Sequence, residues 1–155
     1  MSNLSNPKIA VVTGASQGIG FEITKELALH NYRIYACARR TGPIEKLAEN
    51  FPEGTIIPQH LDISEINEIK KFKEKLGFEL PSQKLDLLYN NAGQSCTFPA
   101  LDVTNEMVEQ CFKVNVIGHV NMCSELAQFL INAKGTIAFT GSLAGCTAFP
   151  FGSIY

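Results

Sequence analysis

The chain has 155 residues, 45% of them apolar and 18% charged, a balance that excludes disordered, collagenous and low-complexity chains and fits one soluble globular domain. Its 13 basic and 15 acidic residues leave a formal charge of -2 with no long basic run, so the sequence gives no support to a nucleic-acid or anionic-membrane surface. The expected partner is a small molecule.

The stretch 1–8 is polar and lacks the apolar core of a signal peptide, so the chain is expected to start in the cytosol. Apolar runs of strand length then alternate with amphipathic segments of helix length, the pattern of βαβ units and a parallel sheet. A first strand is predicted over Ile9–Thr13, a glycine-rich turn over Gly14–Gly20, and a helix from about Ile19 to His30, with Ile23, Leu27 and His30 on its apolar side and a stop at Asn31. The second strand is about Arg33–Ala38 and the third about Thr55–Leu61. Pro58 cannot donate to a ladder, which places the third strand at a sheet edge, as in the doubly wound order 3-2-1-4-5. Ser64 is expected to cap a helix running to about Leu76 and ended by Gly77. Leu85–Asn90 is the fourth strand and Gly135–Thr140 the fifth; between them Thr104–Ala133 is long enough for one bent helix or two consecutive ones. The fold class is therefore α/β, a doubly wound parallel sheet.

Five cysteines, Cys37, Cys96, Cys111, Cys123 and Cys146, are odd in number and form no CxxC pair, so buried thiols in a reducing compartment are expected and no disulfide. His119 and Cys123 stand at helical spacing, but no second ligand pair lies near them, so packing is expected and no metal. Gly141-Ser142-Leu143-Ala144-Gly145 does not match the G-x-S-x-G elbow, and no histidine follows Ser142 to complete a hydrolase triad.

The turn Thr13-Gly14-Ala15-Ser16-Gln17-Gly18-Ile19-Gly20 joins the first strand to the first helix, where free N–H groups and the helix dipole favour a pyrophosphate. Gly14 allows the turn, Gly18 lets phosphates approach the backbone, and Gly20 permits close packing of helix on strand. An acidic residue about 20 positions on would mark an NAD site. From Ile34 to Ile44 there is none, and Arg39-Arg40 follow the second strand instead. Guanidinium groups pair with a 2'-phosphate, so NADPH/NADP is the expected cofactor.

Together with that turn, Asn90-Asn91-Ala92-Gly93, Asn115, Ser142 and Tyr155, with 13 positions separating the last two, resemble the short-chain dehydrogenases/reductases over the whole chain. The resemblance implies a Rossmann fold with Ser16, Gln17 and Ile19 along the cofactor phosphates and Arg39 with Arg40 at the 2'-phosphate. Asp62 and Ile63 would lie beside the adenine, and Asn91, Ala92 and Gly93 would border the route to the nicotinamide. It further implies that Asn115 holds a water in a proton relay, that Ser142 hydrogen-bonds the substrate carbonyl, and that Tyr155 donates the proton. Within the family, ACARR, LYNNAGQSCTFPALD, EQCFKVNVIGH and FTGSLAG resemble the fungal branch that reduces 1-acyl-dihydroxyacetone phosphate. That likeness implies an acyl-lipid phosphate as substrate, a place at the endoplasmic reticulum and lipid droplet, and a homo-oligomer through the long helix after Thr104.

After Lys134 no charged side chain occurs through Tyr155, a run of 21 residues. Its glycines, Pro150 and hydroxyls make it a poor membrane span, so it reads as buried interior. The family's YxxxK pattern meets this sequence at its tyrosine only. The expectation is one incomplete dinucleotide-binding domain over 1–155 with no membrane anchor, catalytically inert by itself and carrying an aggregation-prone edge at its fifth strand. The alternatives are a non-catalytic nucleotide-binding fragment or pseudo-enzyme, and a short-chain carbonyl reductase with another substrate.

Overall fold

The computed structural model describes residues 6–80 and 82–154. Five strands, β1 (Lys8–Thr13), β2 (Tyr32–Ala38), β3 (Ile56–His60), β4 (Leu87–Asn90) and β5 (Thr136–Phe139), form one all-parallel sheet in the order β3-β2-β1-β4-β5. Pro58 pairs with Ala36 from the edge strand, where its missing N–H faces no ladder partner, as its chemistry requires. Helices α1 (Gly18–Leu29), α2 (Gly42–Ala48), α3 (Ile66–Glu79), α4 (Asn105–Phe112) and α5 (His119–Ala133) cover the sheet. Among the described residues no helix is long and apolar enough to cross a membrane.

Alternation along the central strands divides the core in two. Ala10, Val12, Ile34 and Ala36 meet Ile44, Leu47, Ile23 and Leu27 on one face. Val11, Tyr35, Cys37 and Leu88 meet Ile69, Phe72, Leu76, Met122 and Leu126 on the other. This two-sided burial explains why β1 and β2 read as unbroken apolar runs. Asn31 ends α1 in the left-handed region at φ 61°, as expected of a short polar residue.

The structure corrects several sequence expectations. α2 was not anticipated; seven residues with Pro43 in the first turn and Ile44 and Leu47 buried give too short a periodic signal. His30 is exposed, and Thr24 occupies the buried side of α1 with its Oγ1 donating to the Gly20 carbonyl at 2.7 Å. Ser64 does not cap α3, because its hydroxyl is spent on Asp62 Oδ1 at 2.8 Å. That helix continues through Gly77 to Glu79, which keeps Leu76 and Leu80 in the buried register. Thr104–Ala133 does form two consecutive helices, α4 and α5; what the sequence did not anticipate is that π-helical residues Lys113–Gly118 join them without a break.

Two further corrections concern the cysteines and the uncharged run. Cys96 and Cys111 form a disulfide across 15 positions, brought together by the path of the chain rather than by local spacing; Cys146 is exposed. The residues after Lys134 are largely exposed rather than interior. Among the described residues β5 pairs only with β4, and Phe139, Leu143 and Phe151 all face out.

Candidate cofactor and active site

At the carboxyl ends of the strands, where the order reverses between β1 and β4, the chain forms an open cleft of about 1030 Å³. Its floor is built around a buried threonine at the end of β1. Thr13 Oγ1 accepts from the backbone N–H groups of Asn91 at 2.9 Å and Ala92 at 3.0 Å, which bends the chain sharply after β4. Asn91 answers with its own side chain, its Nδ2 donating to the carbonyls of Thr13 at 3.1 Å and Gly14 at 3.3 Å. Its Oδ1 accepts from Thr140 Oγ1 at 2.9 Å, and so three strand ends are tied together.

Close approach accounts for the glycines of the first turn. A Cβ on Gly14 would stand 2.7 Å from Ala92 Cα, and one on Gly20 would stand 2.5 Å from the Gly14 carbonyl oxygen. Gly18, at φ 59°, opens α1 with nothing within 4 Å of where a Cβ would lie. Gln17, the N-cap residue, makes no side-chain capping bond, and the first turn holds no acidic residue. The N-terminal N–H groups and the positive end of the helix dipole are therefore left for an anion.

Beyond the end of β2, Arg39 and Arg40 are exposed on the cleft wall. Arg40 Nη2 donates to Gln17 Oε1 at 3.1 Å, which joins the arginine loop to the glycine turn. Asp62 and the buried Ile63 follow β3 on the same wall. One Asp62 oxygen accepts from Ser64 N at 3.0 Å and from Ser64 Oγ. Ser16, half-buried, and Ile19, 57% exposed, complete this end; an exposed isoleucine there offers an apolar face to a ligand.

At the other end the cleft runs past Ala92 and Gly93 to Asn115 and Ser142. Asn115 lies within the π-helical turn, a distortion frequent at functional sites. Both ends of its carboxamide are engaged by one residue: Oδ1 accepts from Gln94 N at 2.9 Å and Nδ2 donates to Gln94 O at 3.0 Å. The side chain thus braces the segment after β4. Ser142 lies three residues beyond β5, and its Oγ accepts from Ala144 N at 3.1 Å. That bond uses a lone pair and leaves the hydroxyl hydrogen for another acceptor. Tyr155 lies outside the described residues.

The cleft brings together Gly14, Ser16, Gln17, Gly18, Ile19, Arg39, Arg40, Asp62, Ile63, Asn91, Ala92, Gly93, Asn115 and Ser142. Gly20 stands buried beneath it. Sequence reasoning missed Thr13, Gln94 and Thr140, which position the others, although one threonine closing an otherwise apolar strand was a signal. His119 was read as packing, and it also pairs through Nε2 with the Ala92 carbonyl at 2.6 Å. Among the described residues no group of three or more His, Cys, Asp or Glu side chains is placed to hold a metal ion.

Comparison with known proteins agrees with this geometry. The chain is 66% identical to the NADPH-dependent 1-acyldihydroxyacetone phosphate reductase of Saccharomyces cerevisiae, over 100% of this chain and 53% of that protein. It is 31% identical to a tropinone reductase homolog of Datura stramonium, over 94% of this chain and 55% of that one. The chain spans about half the length of these curated relatives. Among solved structures, the alcohol dehydrogenase of the archaeon Thermococcus sibiricus, complexed with 5-hydroxy-NADP, matches with a TM-score of 0.86 at 25% identity, over 96% of this chain and 65% of that one. The sequence profile of the short chain dehydrogenases matches residues 8–155, and the chain belongs to that family.

Proposed function

We propose that residues 1–155 are a single dinucleotide-binding domain of an NADPH-dependent reductase that converts the ketone of 1-acyl-dihydroxyacetone phosphate to the secondary alcohol of 1-acylglycerol 3-phosphate, a step of glycerolipid synthesis. The observation that carries this reading is the 66% identity, across the whole chain, to a protein named for that activity.

The residues present fit the cofactor. An uncapped helix start with open space over Gly18 suits a pyrophosphate, and two exposed arginines stand where an NAD site would carry an acid. Arg39 and Arg40 hold the 2'-phosphate, Ser16, Gln17 and Ile19 line the phosphates, and Asp62 and Ile63 flank the adenine. Asn91, Ala92 and Gly93 lead to the nicotinamide end. NADPH, when bound, supplies the hydride.

Hydride addition builds negative charge on the carbonyl oxygen, so hydroxyl donors placed there lower the barrier. Ser142 donates one hydrogen bond to that oxygen and Tyr155 delivers the proton. Asn115 holds the wall of the cleft through Gln94 and takes part in the proton relay. The reading places the protein at the endoplasmic reticulum and lipid droplet, as a homo-oligomer through the long helix after Thr104. Incubating the protein that carries this sequence with NADPH and 1-acyl-dihydroxyacetone phosphate should give NADPH oxidation and 1-acylglycerol 3-phosphate by mass spectrometry. Oxidation seen only with other ketones would reassign the substrate.

A further inference from the structure

We infer that Cys96 and Cys111 form a reversible thiol/disulfide site in the wall of the cofactor cleft, whose oxidised state holds the Asn115 end of the cleft in its working shape.

The bond joins two segments of different origin, the loop after β4 and the body of α4. Both cysteines are nearly fully buried, yet Cys111 borders the cleft, which gives a reagent one route to the pair. Asn115 Nδ2 lies 3.4 Å from Cys96 Sγ and 3.7 Å from Cys111 Sγ, while it donates to Gln94 O at 3.0 Å. The sulfurs, Asn115 and the Gln94 backbone therefore form one cluster. Oxidised, the sulfurs carry only lone pairs and accept from the carboxamide. Reduced, each sulfur carries a hydrogen that needs an acceptor, and carbonyls are in reach: Gln94 O at 3.6 Å from Cys96 Sγ and Ile154 O at 3.8 Å from Cys111 Sγ. The first is the carbonyl that Asn115 uses. Reduction thus sets a thiol against Asn115 for one acceptor and removes the covalent tie between residues 96 and 111, which leaves the Gln94 wall to its hydrogen bonds with Asn115 Oδ1 at 2.9 Å and Gln110 O at 2.9 Å.

The exchange balances with a low-molecular-weight disulfide as oxidant, here glutathione disulfide. The Cys111 thiolate attacks it and releases one glutathione thiolate; the Cys96 thiolate then attacks the Cys111 sulfur of the mixed disulfide and releases the second. Two protein thiols and one glutathione disulfide become one protein disulfide and two glutathiones. The other cysteines differ in kind. Cys37 is sealed in the core, where burial pushes its thiol far above the ordinary range, and burial also raises Cys123. Cys146 is exposed, and C146S removes it as a competitor.

The effect on turnover rests on the reductase reading above, whereas the bond itself does not. The C146S variant of the protein that carries this sequence is equilibrated in glutathione buffers of graded potential. The state of the pair is read by differential alkylation and peptide mapping, NADPH affinity by fluorescence, and NADPH oxidation with 1-acyl-dihydroxyacetone phosphate. A 96–111 disulfide peptide should appear and vanish in one two-electron step. Turnover should fall by about fivefold or more on reduction, while NADPH affinity, set mainly by the arginine and glycine-turn contacts that neither cysteine touches, stays within about twofold. The double variant C96S/C111S, checked for folding by thermal unfolding, should have the lower turnover at every potential. Failure to find the 96–111 peptide at any potential overturns the site. A peptide that titrates without any change in turnover overturns the coupling. If no ketone is turned over in either state while the peptide titrates, the reductase reading fails and the redox pair stands.

Discussion

Single side chains decide most of what this cleft is able to bind. We propose that Arg39 and Arg40 set the cofactor preference by charge; Arg40 Nη2 donates to Gln17 Oε1. Arg39→Ala should weaken NADPH binding by about tenfold to a hundredfold, the range for a charge-assisted hydrogen bond, and leave NADH binding unchanged; isothermal titration of both nucleotides checks it. Thr13 is the hidden counterpart. Its hydroxyl satisfies two backbone donors that would otherwise stand unpaired beneath the cleft. Thr13→Val, equal in shape, should cost about 2 kcal/mol in urea denaturation, and Thr13→Ser should restore most of it. The arginines were legible in the sequence because a missing acid and a present base are composition at a known offset. Thr13 was not, since its partners lie more than 75 positions away.

At the scale of elements, the five strands and the edge place of β3 followed from apolar run length and one proline. What escaped had physical causes. α2 is two turns long, too short for periodicity to speak. The π-helical turn is one extra residue in a helix, which no hydrophobic pattern records. The disulfide is a tertiary event between two cysteines with no local motif. The packing of α1 on β1 is the most exacting contact of the nucleotide end, because Gly20 lies against the Gly14 carbonyl and the Asn91 side chain. Gly20→Ala should lower stability by roughly 2 kcal/mol, seen as a drop in thermal midpoint. Gly18→Ala meets no neighbour, so its smaller loss comes from the left-handed backbone alone. An equal loss in both would contradict the close-packing account.

Over the whole molecule, a fully parallel sheet is covered on both faces, while its β5 edge and the loop after it expose apolar side chains. Ile137 and Phe139 make β5 an adhesive edge in the 155-residue chain. Ile137→Lys in that chain should reduce light scattering on concentration without changing nucleotide affinity. The uncharged run after Lys134 was visible at once, but its meaning was not: absence of charge predicted burial, and the structure places the run largely at the surface.

The cleft, the glycine turn and the arginine pair converge on one claim, that this molecule selects the 2'-phosphorylated nucleotide. Paired titration of the unaltered chain with NADPH and NADH under one salt condition tests it most directly. NADPH should bind more tightly by about tenfold or more, and NADH binding equally or more tightly would contradict it.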